Sequence, residues 1–308
     1  MKKVFIDGKE GTTGLQIYER LAIRDDISLI TLSEEKRKDL TARKECINQA
    51  DIVFLCLPDA AAREAVSLCE NPSTKIIDAS TAHRTSAEWA YGFPELSDEF
   101  RKGIATNTRI ANPGCHASGF ISLVYPLVKE GIVSDDYPFV AHSITGYSGG
   151  GKKMIAEYEN QERAIEFSSP RQYGLSLTHK HLPEMTKVCN LSHAPLFNPI
   201  VSDFYSGMCV TVPLYASLMN KAFSPTELQE FFREFYSKSV FISIADKAEN
   251  FLAANTFSGS NRMEIYVGGN SEQILLCSRF DNLGKGASGA AVQNMNIALG
   301  LPEDAYLK

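Results

Sequence analysis

The chain contains no apolar run approaching the roughly 20 residues needed to span a bilayer, which removes the helical membrane-spanning classes. It also lacks a signal core. Met1-Lys2-Lys3-Val4-Phe5-Ile6-Asp7-Gly8 runs into a glycine-rich turn rather than an apolar segment, so the reading is of a cytoplasmic protein. No basic block stands out and the formal net charge is −6, which argues against nucleic acid or an anionic membrane surface as a partner. An anionic small molecule is not excluded, because it needs only local cations at its site. The seven cysteines, Cys46, Cys56, Cys69, Cys115, Cys189, Cys209 and Cys277, are odd in number and form no CxxC pair. That pattern fits neither a disulfide framework nor a zinc site, and no metal is expected. Internal repeats and low-complexity segments are absent. What is present is length: 308 residues, enough for two cores rather than one.

Periodicity divides the chain. Before Cys115, short β-rich runs (3–6, 27–32, 52–57 and 75–78) alternate with helical patterns (13–22 and 60–69), which argues for a doubly wound parallel sheet of Rossmann type. After Cys115, helices are expected at 117–129, 151–166 and 225–238. Strands are expected at 138–144, 208–215, 240–244, 262–267 and 273–280. Strands that follow one another in this way suggest an α+β domain with a mixed or antiparallel sheet. The last pattern, 289–299, is helical and offers an apolar face to the first domain. The expected division is therefore 1–115 with 283–308 as a nucleotide domain, and 116–282 as a catalytic and oligomerisation domain.

Gly8, Gly11 and Gly14, with Thr12 and Thr13 between them, lie where the first strand meets the first helix. Glycines there let the backbone approach a pyrophosphate, and the helix start offers free N–H groups and a positive dipole end. The second strand is followed by Ser33 and then Glu34-Glu35-Lys36-Arg37-Lys38 rather than by a lone acid. A hydroxyl with nearby cations suits a 2′-phosphate, so NADP is favoured over NAD, with Ser33 and Arg37 as its ligands.

Most cysteines sit in apolar runs and read as small core residues. Cys115 differs, because it follows Asn112-Pro113-Gly114 and precedes a helical pattern. A thiol at a helix N-terminus favours its thiolate, the nucleophile of covalent catalysis. A second chemical segment is His179-Lys180-His181-Leu182-Pro183-Glu184. Its imidazoles suit proton transfer near neutrality, its carboxylate can orient one of them, and Lys180 can meet a substrate anion. His116 and His142 are weaker candidates, and His83 and His193 have no assigned function.

Together these motifs resemble the short, type 2 N-acetyl-gamma-glutamyl-phosphate reductases over nearly the whole length. The resemblance is carried by Gly8-Lys9-Glu10-Gly11-Thr12-Thr13-Gly14, Asp78-Ala79-Ser80-Thr81-Ala82-His83-Arg84, Tyr91-Gly92-Phe93-Pro94-Glu95-Leu96 and Asn112-Pro113-Gly114-Cys115. It continues through Thr145-Gly146-Tyr147-Ser148-Gly149-Gly150-Gly151-Lys152, the His179 to Glu184 segment, and Asp281-Asn282-Leu283-Gly284-Lys285-Gly286-Ala287-Ser288-Gly289. The resemblance implies NADPH-dependent reduction of N-acetyl-L-glutamyl 5-phosphate to the 5-semialdehyde and phosphate through a cysteinyl thioester, a step of arginine biosynthesis. It implies Cys115 as nucleophile and His179, His181 and Glu184 as the acid/base segment, with the transferring imidazole left open. Arg84 is implied to hold a substrate anion, and Ser148 and Gly149 to lie near substrate phosphate or cofactor. Asn282 is placed near the nicotinamide carboxamide, Gly286 at the start of the last helix, and the assembly as a homo-oligomer, dimer or tetramer. Rival readings are another acyl-phosphate reductase, such as aspartate-semialdehyde dehydrogenase, and a non-catalytic NADP-sensing protein. The stretch 247–260 has no interpretable pattern.

Overall fold

The computed structural model describes residues 1–9, 11–246 and 250–307; Glu10 of the glycine-rich turn and the start of the 247–260 stretch lie outside the described residues. The described chain forms two compact units, one of residues 1–113 with 287–308 and the other of residues 114–286.

The first unit is built on a six-stranded sheet in the order β2-β1-β3-β4-β6-β5. Its strands are β1 (Lys2–Asp7), β2 (Ile27–Ile30), β3 (Ile52–Leu55), β4 (Lys75–Asp78), β5 (Ala90–Tyr91) and β6 (Arg109–Ala111), and every pairing is parallel. Ile52, Val53, Phe54 and Leu55 of β3 are all fully buried, as expected of a strand covered on both faces. Helices α1 (Thr12–Ala22), α2 (Leu40–Gln49), α3 (Asp59–Ser67) and α4 (Asp98–Thr106) make the crossovers. Neither α2 nor α4 is expected from periodicity. Each begins at a side-chain cap instead, Asp39 accepting from Ala42 N–H and Ser97 from Phe100 N–H. Ala291, Val292, Met295 and Ile297 of the chain's last helix complete the core formed by Val4, Ile52, Phe54 and Ile77.

The second unit carries a seven-stranded mixed sheet, β11-β12-β13-β10-β7-β9-β8. Its members are β7 (Val140–Gly146), β8 (Arg171–Gln172), β9 (Leu196–Ser202), β10 (Met208–Tyr215), β11 (Ile242–Ile244), β12 (Met263–Gly269) and β13 (Gln273–Phe280). The helices are α5 (Cys115–Lys129), α6 (Gly151–Glu159), α7 (Leu182–Val188) and α8 (Pro225–Phe235), and α9 (Gly289–Ala298) returns to the first unit. Period-two alternation sets the faces. Ser143, Thr145, Val210, Val212 and Leu276 point under the helices and are buried, whereas His142, Ile144, Tyr215 and Leu275 point to the open side. Helix α5 lies close to this sheet because Gly119 has no Cβ, which would collide with Val210. Helix α6 stops at Glu159, short of the expected residue 166. Asn160 adopts extended backbone and its side chain accepts the Glu162 N–H, a local turn that competes with the helix. Among the described residues, no helix is long and apolar enough to cross a membrane.

Candidate active site

In the first unit the glycine-rich turn joins β1 to α1. Gly8 has φ +88°, and a Cβ on it would strike the Cys56 carbonyl; a Cβ on Gly14 would strike the carbonyl of Gly8. Both glycines are therefore required by the fold itself. Gly11, the N-cap of α1, is different: a Cβ there would come no nearer than 3.6 Å to any neighbour. Its openness, and the buried Thr12 hydroxyl that has no hydrogen-bond partner among the described residues, fit a turn shaped around an external group rather than around its own core. The turn opens into a cavity of about 720 Å³ lined by Gly8, Gly11, Leu32, Arg37, Lys38 and Arg43, among others. Arg43 is buried and bridges Asp7 at 3.0 Å and Glu64 at 2.9 Å, and burial raises the Asp7 pKa despite that partner. Arg37 is exposed and pairs with Glu34 at 2.8 Å; Ser33, also exposed, precedes the short turn 34–36. A phosphorylated nucleotide fits this donor set.

Arg84 belongs to the same unit. Its Nε donates to Asn112 O at 2.9 Å and its Nη2 to Ala79 O at 3.0 Å, so the guanidinium braces the loop before Cys115. Next to it, His83 Nδ1 lies 2.6 Å from the buried Asp78 carboxylate, and its ring stacks on Trp89 at 4.1 Å.

In the second unit Cys115 is the first residue of α5, and Gly114 caps that helix without a side chain. Glu184 in the first turn of α7 reaches across, its Oε2 accepting the Gly114 N–H at 3.1 Å. One carboxylate thus ties the thiol's turn to the histidine segment, although some 70 residues separate them. Gly286 packs against the thiol residue, for a Cβ there would come within 2.9 Å of the Cys115 Cβ. It does not open the last helix. It lies in the wide turn Gly284–Ser288, where its N–H bonds Asp281 O, and α9 begins at Gly289.

The imidazoles cluster. His179 and His181 have ring centroids 4.8 Å apart, and His116 stands 5.5 Å from the first and 5.6 Å from the second. His179 Nδ1 accepts the backbone N–H of His181 at 3.2 Å. Burial, and then the charge of Lys180, pushes the His179 pKa down to about 4. Burial, then His179 and Lys180, pushes His116 to about 3. Of the other thiols, Cys189, Cys209 and Cys277 are buried, and burial drives Cys56 up to about 12.

Ser148 and Gly149 sit in the short turn after β7. Asn282 is brought to them: its Nδ2 donates to Ser148 Oγ at 3.0 Å and its Oδ1 accepts from Gly207 N–H at 2.8 Å. Sequence reasoning missed Tyr173, whose hydroxyl lies 2.6 Å from His116 Nε2, and Ser143, whose hydroxyl lies 2.6 Å from His116 Nδ1. Neither stands in a spaced motif.

The buried His116 has a consequence for acid stability. Its folded pKa lies below the ordinary 6.5, so between about 3 and 6.5 the unfolded chain binds a proton that the folded chain refuses. This contribution is fully present above pH 6.5 and is lost as pH falls, at about 1.4 kcal/mol per pH unit. Unfolding in urea should show stability dropping between pH 6.5 and 4, with a shallower drop in His116→Asn; equal slopes would refute the assignment.

The semialdehyde dehydrogenase NAD-binding domain matches residues 3–103, and the semialdehyde dehydrogenase dimerisation domain matches residues 115–282. N-acetyl-gamma-glutamyl-phosphate reductase 2 of Nostoc sp. is 44% identical, covering 99% of each chain. The N-acetyl-gamma-glutamyl-phosphate reductase of Mesorhizobium japonicum is 46% identical, over 97% of this chain and 99% of its own. In structure, aspartate semialdehyde dehydrogenase II of Vibrio cholerae, complexed with ASA, superposes with a TM-score of 0.74 at 17% identity, over 97% of this chain and 98% of its own. That last likeness is one of fold.

Proposed function

The chain belongs to the semialdehyde dehydrogenase family, on the branch of the N-acetyl-gamma-glutamyl-phosphate reductases, and from that premise we propose how its own residues carry out the reduction of N-acetyl-L-glutamyl 5-phosphate. The cofactor is a nicotinamide dinucleotide, which supplies the hydride when bound. The first unit holds it, with the turn from Gly8 to Gly14 at its phosphates.

The Cys115 thiolate adds to the acyl carbon. The C–O bond to phosphate breaks, phosphate leaves with the electron pair, and a thioester remains on Cys115. As the thioester carbon is reduced, its oxygen gains charge that must be met by a proton or a donor. When the carbonyl re-forms, the C–S bond breaks, aldehyde leaves and the thiolate returns. His181 is assigned the proton. In neutral His179 the bare nitrogen, Nδ1, is already occupied by the His181 N–H, so its Nε2 carries hydrogen and can only donate. Within the second unit, Lys180 meets an anionic group of the substrate, with Ser148 and Gly149 beside its phosphate. The observation that carries this reading is the Glu184 bond to Gly114, which fixes the histidine segment to the nucleophile's turn. Assay of the purified protein with N-acetylglutamate semialdehyde, phosphate and NADP, beside aspartate semialdehyde, tests it. Preference for the aspartate compound would overturn the substrate assignment.

NADP is the preferred dinucleotide on this reading, because Arg37 and Lys38 line the cavity beyond β2. A charge-assisted hydrogen bond contributes about 1.5–3 kcal/mol, so NADP should bind on the order of ten- to a hundredfold more tightly than NAD. Comparable dissociation constants by calorimetry would sink the preference.

The open face of the seven-stranded sheet is proposed as the seam of a homodimer, in a cytoplasmic enzyme that meets no nucleic acid or membrane. Ile144 is 38% exposed, Leu275 39%, Leu196 53% and Tyr215 56%, an apolar surface on neighbouring strands. Light scattering should report a dimer or tetramer, and Ile144→Glu with Leu275→Glu should shift it toward monomer; a monomeric wild-type protein would refute the seam.

A further inference from the structure

With Cys115 taken as the nucleophile, the reading on which this rests, we propose that His116 is a positioning residue: a directed chain from Ser143 through His116 to Tyr173 holds the Tyr173 hydroxyl as a donor toward the acyl oxygen on Cys115. The ring joins the two hydroxyls, with Ser143 Oγ 2.6 Å from His116 Nδ1 and Tyr173 Oη 2.6 Å from His116 Nε2. His116 is 3% exposed and Ser143 is fully buried.

The direction of the chain follows from counting hydrogens. The His116 ring is neutral, its pKa held down to about 3 chiefly by burial, so it has one N–H and one bare nitrogen. One neighbour must donate to it and the other must accept. Among the described residues the Ser143 hydroxyl has no partner other than Nδ1. Leaving that buried hydrogen without an acceptor would cost about 1–3 kcal/mol. Ser143 therefore donates to Nδ1, Nε2 carries the ring hydrogen, and Nε2 donates to the Tyr173 oxygen.

Tyr173 is then an acceptor toward the ring, and its own hydrogen is left for another oxygen. The reverse chain would orphan the Ser143 hydrogen and turn the Tyr173 hydrogen into the ring, leaving no donor. Tyr173 as a residue is half-buried. Its hydroxyl bonds the ring of the residue that follows Cys115, and its pKa is raised by burial and then by the charge of Cys115. Cys115 and His116 are consecutive in the first turn of α5, so nucleophile and directing ring share one rigid segment.

The wild-type protein, labelled with ¹⁵N-histidine, should show His116 with Nε2 protonated and Nδ1 bare at neutral pH; the opposite tautomer would overturn the proposal. In steady-state kinetics, Tyr173→Phe should lower kcat on the order of 10²-fold with KM little changed. Ser143→Ala touches no substrate, yet should lower kcat severalfold by releasing the ring, and should add nothing on the Tyr173→Phe background. A purely structural role would instead give independent, additive effects and loss of folded protein. Cys115→Ser serves as the control. If it retains activity, the nucleophile reading falls and takes this proposal with it. If it is inactive while Ser143→Ala and Tyr173→Phe keep full kcat, the chain alone is refuted.

Discussion

Cys115→Ser should lower the reductase rate by several orders of magnitude while the melting temperature moves by no more than about two degrees. The substitution keeps the size of the side chain and its place at the first position of α5. What changes is the reacting atom. A hydroxyl is a far weaker nucleophile than a thiolate, and the ester it would form is not the thioester that the second half of the reaction needs. Because one residue acts in both halves, its loss is not shared out among the neighbouring groups. Dinucleotide binding should stay almost unchanged, since the turn from Gly8 to Gly14 belongs to the other compact unit. Iodoacetamide should label Cys115 in the wild-type protein, the adduct being located by mass spectrometry. Near-normal activity in Cys115→Ser would end the thioester mechanism.

The second large effect is expected at His181. Removing a general acid/base costs on the order of 10²–10⁴-fold in rate, and His181→Asn should show that loss in kcat, together with loss of one limb of the pH–rate profile. His179→Asn should act differently. Its Nδ1 accepts a backbone N–H in place, and the neutral ring can offer only its Nε2 hydrogen, so the replacement should raise KM more than it lowers kcat. Glu184→Gln gives a related check, because an amide oxygen can still accept from Gly114 N–H at 3.1 Å and much of the rate should survive. If His179→Asn loses its pH limb and His181→Asn does not, the two roles must be exchanged.

Much of the fold was legible because its strands have the period they need. In β10 and β13 the observed limits coincide with the expected ones, and β3 declared its burial on both faces by an unbroken apolar run. Helices α2 and α4 were not legible: α2 has little apolar face, α4 is nine residues long with Ile104 as its one buried residue, and each starts at a side-chain cap. A strand end before Cys115 was legible and is β6, whereas β9 was missed because it contains Pro199. At the site, Cys115 and the His179 to Glu184 segment were readable from residue type and local spacing. The link between them was not, since a bond from a side chain to a backbone N–H far along the chain leaves no mark in either segment. Asn282 shows the same limit. Its type and place were noted, yet the structure uses its amide to join Ser148 to Gly207. His116 ranked low because it stood outside the paired histidine motif, and its two hydroxyl partners lie 27 and 57 residues away.

The course of synthesis follows from where the chain's last helix sits. Residues 1–113 leave the ribosome with every strand of their sheet but without α9, whose Ala291, Val292, Met295 and Ile297 finish their core. At about 5–20 residues per second, the intervening stretch takes roughly ten to thirty seconds to emerge. For that interval the first unit exposes an apolar face, whereas residues 114–286 are contiguous and can fold as soon as they are made. The later-synthesised unit is thus free to become native first, while the nascent N-terminal sheet still lacks part of its core. A stop codon that removes only the final helix would leave the thiol and its histidines encoded, yet strand the chain in that exposed state.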